Sequence, residues 1–177
     1  MSKKLKHPRQ LLVRELRDLL AAEETVERLL PDAAKEAVDE RVVRSLQEHL
    51  SDTQVQIERL REILGFLDED TDGKPRAGLE GLEKELRQLP SSGRFDEIGD
   101  LVLLGFVGRV EHYEIASYEA AIALARALNE SRIVELLSES LGEEKRMLSA
   151  GAASTRRLAP RAAKAAIAEV ALSASTA

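Results

Sequence analysis

The chain has 177 residues, 44% of them hydrophobic and 33% charged, enough for one domain with a substantial core. It has no cysteine and a net charge of −6, which excludes disulfides, zinc fingers and thiolate-held clusters and argues against general nucleic-acid binding. The start is basic but leads directly into an amphipathic stretch, and no run approaches the roughly 20 apolar residues that span a bilayer. The expected location is therefore the cytoplasm, with no membrane partner.

The first helix is expected to begin near Pro8, a residue suited to a first helical turn. Its stripe Leu12, Leu16, Leu19, Glu23, Val26, Leu30 alternates by four and three, the spacing of one helix face. Glu23 thus falls at a core position, either as an edge glutamate that reaches solvent or as a functional acid. Pro31 is expected to end or kink this helix, with a short further turn over residues 32–38.

The second helix is expected to run from Asp39, a capping residue, to Leu67. One face reads Val42, Leu46, His49, Thr53, Gln56, Leu60, Ile63, Leu67, apolar at both ends and polar at its centre. Asp52 lies three residues after His49 and shares its side of the helix. Such a centre is either a hydrogen-bonded polar layer that sets register or part of a site. Residues 68–75 form an acidic stretch that lacks the ligand spacing and closing glutamate of a calcium loop, so it reads as a connection. A short amphipathic helix carrying Leu79, Leu82, Leu86 and Leu89 follows, and Pro90-Ser-Ser-Gly93 breaks it.

The third long helix is expected from about Phe95 to Leu128. Its stripe Leu104, Val107, Glu111, Glu114, Tyr118, Ala121, Ala125, Leu128 suits a core except at the two glutamates, one turn apart. Two buried acids need a cation or a shared proton. In a purely structural pair, Arg109 and Lys145 would supply the cations. Gly105 and Gly108 inside this helix are read as packing against a neighbour, and Asn129 as its stop. The last helix starts near Ser131. Glu143 falls with Leu136, Ser140 and Met147, and Glu144 with Leu137, Leu141 and Leu148, and periodicity does not choose which acid faces inward. From Gly151 the chain is Ala-rich and locally basic, a fifth helix or a loose terminus. The division expected is a bundle over residues 8–150 and an extension over 151–177.

Short links join the first helix to the second and the third to the last, whereas the link between the two pairs is long enough to run back along the bundle. Hairpin, crossover, hairpin is the connectivity of ferritin-like folds. The expected fold is therefore all-α, a ferritin-like antiparallel four-helix bundle whose long crossover contains a short helix, plus a helical or loose C-terminal extension. Carboxylates from all four helices would then meet mid-bundle. None of the three histidines follows a glutamate at the Glu-x-x-His spacing, and an oxygen-rich donor set favours Mn, Fe(II) or Mg over copper or zinc.

Four separated motifs resemble, in order, those of the YciE/YciF-type ferritin-like bacterial stress proteins. Asp18-Leu-Leu-Ala-Ala-Glu23 with Leu30-Pro31 resembles the first. His49-Leu-Ser-Asp-Thr53 and Gln56-Ile-Glu-Arg-Leu60 resemble the second, Glu111-His-Tyr-Glu-Ile-Ala-Ser-Tyr118 the third, and Leu141-Gly-Glu-Glu-Lys145 the fourth. Asp52, Ser51, Gly142 and Leu148 depart from acids usual at those places. The resemblance implies a homodimer with a dinuclear centre of two Fe or Mn ions. Its ligands here would come from Glu23, Asp52, Glu111, Glu114 and Glu143 or Glu144. His49, Gln56, His112 and Tyr118 would orient them. The chemistry expected of such a centre is metal-centred redox, either Fe(II) oxidation or peroxide consumption. The alternative is a bundle with a degenerate site, serving as a structural or interaction protein under stress.

Overall fold

The computed structural model describes residues 5–73, 77–87 and 96–175. Five helices follow one another: α1 (Pro8–Glu36), α2 (Glu40–Phe66), α3 (Ala77–Arg87), α4 (Glu97–Ala127) and α5 (Ser131–Ser175). The helix boundaries follow from local chemistry. His7 caps α1 by accepting from the Arg9 N–H at 3.1 Å, with Pro8 in the first turn. Asp39 caps α2, accepting from Arg41 and Val42 N–H at 3.1 and 3.3 Å. Asp96 caps α4 through the Gly99 N–H at 2.8 Å. Both α2 and α4 end in a left-handed residue, Asp68 at φ 53° and Asn129 at φ 61°. The next N–H then bonds back into the last turn, Glu69 to Leu64 O and Glu130 to Ala125 O, each at 3.0 Å.

Pro31 does not end α1, which continues to Glu36 with Pro31 inside it. Proline removes one helical hydrogen bond, and the apolar face Leu30, Ala33, Ala37 still packs against α2 and α4. Nor does the chain break at Gly151. Gly151 and the residues on to Ser175 continue α5, so over that span the extension is helical and of one piece with the last bundle helix. Leu158 and Ala162 are buried, and Leu158 joins the core. Leu89, Phe95 and the Pro90–Gly93 break lie outside the described residues.

Each long helix packs on two neighbours, α1 on α2 and α4, and α5 on the same two. All four adjacent pairs are antiparallel. The crossover returns from the Leu67 end, where Arg9 donates to Leu67 O at 2.6 Å, to the opposite end. There the buried Asp100 of α4 accepts from the Val38 and Asp39 N–H groups at 3.0 and 2.8 Å. The start of the crossover is held to α1 by Arg17, which pairs with Glu69 at 3.0 Å and Asp70 at 2.8 Å. Gly73 lies so close to the Arg17 backbone that no side chain fits there. Further on, Leu79 of α3 is buried in the groove between α1 and α4.

The core is in two parts. One gathers Leu12, Leu16, Leu60, Ile63, Tyr118 and Ile133, the other Val26, Leu30, Leu46, Leu103, Val107 and Leu158. Between them lies a layer of buried polar side chains contributed by all four long helices.

Candidate metal centre

Glu23 comes from α1, His49, Thr53 and Gln56 from α2, Glu111, Glu114 and Tyr118 from α4, and Ser140 and Glu144 from α5. Each occupies a stripe position whose neighbours one turn away are core residues, so helical spacing alone turns these side chains inward. Glu23, Glu111 and Glu114 have no exposed surface, Glu144 is 1% exposed and His49 3%.

One donor atom from each of His49, Glu111, Glu114 and Glu144 lies within 4.8 Å of the other three. His49 Nδ1 is 3.3 Å from Glu111 Oε1, and Nε2 is 3.9 Å from Glu144 Oε2. These approaches are close but not aligned as hydrogen bonds. Glu23 adjoins this group, and the Tyr118 hydroxyl donates to its Oε1 at 2.6 Å. The Gln56 amide donates to Glu144 Oε1 and, at 3.1 Å, to Glu143 Oε2.

What is left without a partner is informative. Both oxygens of Glu111 and of Glu114, one of Glu23, one of Glu144 and both ring nitrogens of His49 are buried with no hydrogen bond. Native proteins pair nearly all such groups, because an unpaired buried polar atom costs about 1–3 kcal/mol and a buried charge more. Arg59 reaches only the edge of the layer, donating to Ser140 Oγ at 3.4 Å and to Glu143 at 2.6 Å, while Arg109 pairs with Glu85 on α3 at 3.3 Å and Lys145 with Glu119 at 2.8 Å, both on the surface. The two cations of the structural alternative are thus engaged elsewhere.

Burial, and then the charge of Glu23 beside it, pushes Glu114 well above the usual carboxylate range; Glu23 is raised likewise, by burial and then Glu144. Glu111 and Glu144 are also raised, chiefly by burial. Burial pulls His49 down to about 4, so its imidazole is neutral and offers a lone pair. The Tyr118 hydroxyl is pushed well up by burial and by Glu23, so it stays a donor.

The expected residues divide accordingly. Glu23, Glu111, Glu114 and Glu144 meet, with His49 among the donors themselves and Gln56 and Tyr118 holding carboxylates in place. Glu143 faces the rim, where Arg59 Nη1 donates to it at 2.6 Å. Asp52 is also at the rim, half-buried, with its pKa raised by burial and then by Glu143. His112 lies exposed on the outer side of α4 and is not brought to the cluster. Arg59 was not among the expected site residues, although Asp52, Gln56 and Arg59 follow one another by four and three, the spacing of one row. Asp100, the other buried acid of α4, was missed too; it precedes Leu103, Leu104 and Val107 at core spacing.

An antiparallel four-helix bundle with one long crossover and a carboxylate–histidine cluster in its middle layer defines a ferritin-like protein. A family described as a domain of unknown function, DUF892, matches residues 7–164. Protein YciF of Escherichia coli strain K12 is 32% identical over 134 residues, covering 73% of this chain and 79% of YciF. The crystal structure of that stress protein superposes with a TM-score of 0.82 at 27% identity, over 88% of this chain and 99% of the other. YcfI of Rhodopseudomonas palustris, provisionally described as a structural protein, gives 0.80 at 31% identity over 85% and 96%. A ferritin-like, diiron-carboxylate protein of Bacillus anthracis gives 0.67 at 16% identity over 85% and 99%, a likeness of fold alone. The chain belongs to the YciF-type family, DUF892.

Proposed function

We propose that this protein holds a dinuclear iron or manganese centre in the bundle core and serves stress-related, metal-centred redox chemistry. The observation that carries the reading is a set of buried donors that keep unpartnered atoms: both oxygens of Glu111 and Glu114, one each of Glu23 and Glu144, and the neutral ring of His49. Two divalent ions would neutralise the four carboxylates, and oxygen donors with one imidazole suit iron or manganese. The diiron-carboxylate description of the Bacillus anthracis protein and the stress description of YciF support the same reading.

Glu23, Glu111, Glu114, Glu144 and His49 would hold the ions. Bound iron or manganese supplies electron-transfer chemistry of the kind that Fe(II) oxidation or peroxide consumption requires. Tyr118 restrains Glu23 and Gln56 restrains Glu144, so each keeps one oxygen committed and the other turned to the centre. The apolar layers above and below exclude water and strengthen every charge interaction between them. Arg59 on Glu143 balances the rim acid, so that acid adds little charge to the centre. The partners proposed are the metal ions and a second copy of the chain as a homodimer, in the cytoplasm. Among the described residues no helix is long and apolar enough to cross a membrane.

The second reading is a bundle without catalysis, in a structural or interaction role. Its support is the rim position of Asp52 and Glu143, and the structural description attached to YcfI. Metal analysis of protein purified without chelator separates the two. About two Fe or Mn per chain, with a melting temperature that falls on chelation, is expected, because a ligand of the native state must stabilise it. Metal-free protein that gains no stability from Fe(II) or Mn(II) overturns the first reading.

A further inference from the structure

Glycine inside a helix costs about 1 kcal/mol relative to alanine, and a usual reason to keep one is a neighbour too close for a side chain. Among the described residues Gly108 of α4 and Gly151 of α5 have no such neighbour: a Cβ on either would meet nothing within 4 Å. At Gly105 it would meet only the tip of Arg109, at 3.7 Å. Close packing against another helix of the same chain, the expectation for Gly105 and Gly108, is therefore not seen among the described residues. The three share one space, a cleft of about 340 Å³ along the seam between α4 and α5. Small-molecule sites span roughly 300–1,000 Å³ and are mostly apolar with a few placed polar groups.

This cleft has that character. Leu104, Val107, Met147 and Leu148 line it, Glu111 closes its deep end, and Arg156 stands at the other. From Met147 to Arg156 along α5 the distance is about 13 Å at a rise of about 1.5 Å per residue. Arg156 is exposed, is the one cation among the lining residues, and has no ion-pair partner among the described residues.

We propose that the α4–α5 cleft binds a medium-chain carboxylate, with its head on Arg156 and its apolar tail running along the seam toward Glu111. The orientation follows from charge. An anionic head at the deep end would face Glu111 and the other acids of the layer, whereas at the outer end it meets a guanidinium, which pairs carboxylates in bidentate fashion. Binding needs no metal. That the tail end is thereby presented to a redox centre rests on the function proposed above.

The test is a fluorescence titration of the full chain with dansyl-labelled undecanoate, run on chelated and on metal-loaded protein, with displacement by decanoate. Saturable binding at one per chain is expected, with decanol displacing the probe about tenfold less well than decanoate, a difference of about 1.4 kcal/mol. Gly151→Leu and Gly108→Leu fill open space and should each weaken binding about tenfold or more. Arg156→Glu should do the same, while Arg44→Glu on the exposed face of α2 leaves it unchanged. The alanine variants of both glycines, which favour the helix, provide folded proteins should a leucine variant fail to fold, and should bind more weakly than the parent. Absent saturable binding, binding indifferent to the glycine variants, or leucine variants that change only the oligomeric mass would each overturn the proposal. Binding by protein that takes up no metal would sink the metal centre and leave the cleft standing; metal uptake without binding would do the reverse.

Discussion

Replacing Glu114 by glutamine keeps the shape of the side chain and removes its charge. In the metal-free protein burial holds the carboxyl toward its protonated form, whereas the unfolded chain releases the proton at neutral pH. Each unit by which a folded carboxyl pKa exceeds its unfolded value costs about 1.4 kcal/mol once the unfolded chain has released its proton. Glu114 is raised well above its ordinary value, by burial first and then by Glu23, Glu144 and Glu111. Glutamine carries no such cost, but its buried amide donors lose about 1–3 kcal/mol if unpaired. The net expectation is a metal-free variant at least as stable as the parent, each kcal/mol gained raising the melting temperature by roughly 2–4 °C for a chain of this size. With metal the sign reverses, because a ligand oxygen is lost and the stabilisation by Mn(II) or Fe(II) should shrink. The assay is scanning calorimetry of chelated and metal-loaded Glu114→Gln and parent proteins, with metal content measured on the same samples. Full metal content together with a lowered melting temperature in the chelated variant would refute the reasoning, for it would mean that Glu114 holds a cationic partner of the protein's own.

Further outcomes follow from the same charges. Raised carboxyl pKa values contribute stability that is complete below the unfolded value of about 4.3 and is lost as pH rises toward the folded values, so chelated protein should melt progressively lower from about pH 5 to pH 8 and metal should flatten that slope. His49, held near 4, acts in the opposite sense between about 6.5 and 4, but as one group against four; a flat or rising melting profile for chelated protein would count against the buried acid cluster. Tyr118→Phe deletes the 2.6 Å bond to Glu23 and should cost about 1–3 kcal/mol by urea unfolding at pH 6, since it strands a buried acceptor. Arg157→Ala removes a bidentate pair with Asp39 at 2.6 and 2.8 Å and should cost about 1 kcal/mol at pH 7. Arg157 holds the Asp39 pKa down at about 2, so that cost should fade as pH falls from about 3.8 toward 2; a cost that persists there would show that the pair acts through packing instead.

The sequence determined by itself the four bundle helices, their order, the long crossover and the core-stripe positions of Glu23, His49, Glu111 and Glu114. It could do so because each sits in an unbroken stripe of core residues, and a period of 3.6 dictates which side of a helix such a residue faces. That α1 runs past Pro31, that α5 runs past Gly151 and that Glu23 is fully buried came from the tertiary structure. The choice between Glu143 and Glu144 needed the tertiary structure. Adjacent residues point about 100° apart on a helix, both stripes on α5 are apolar, and only the docking of α2 decides which acid meets Arg59 at the rim and which enters the layer. Asp52 and His112 lie next to inward-facing residues in the chain, yet neighbouring positions diverge around the helix, and packing left both outside the cluster. The glycines of α4 show the same division. Their cost to the helix is legible in the composition of the stretch, but whether the missing side chain admits a neighbour or leaves a cleft depends on how far away α5 runs. That distance is set by side chains from two helices remote in sequence, and local periodicity carries no record of it.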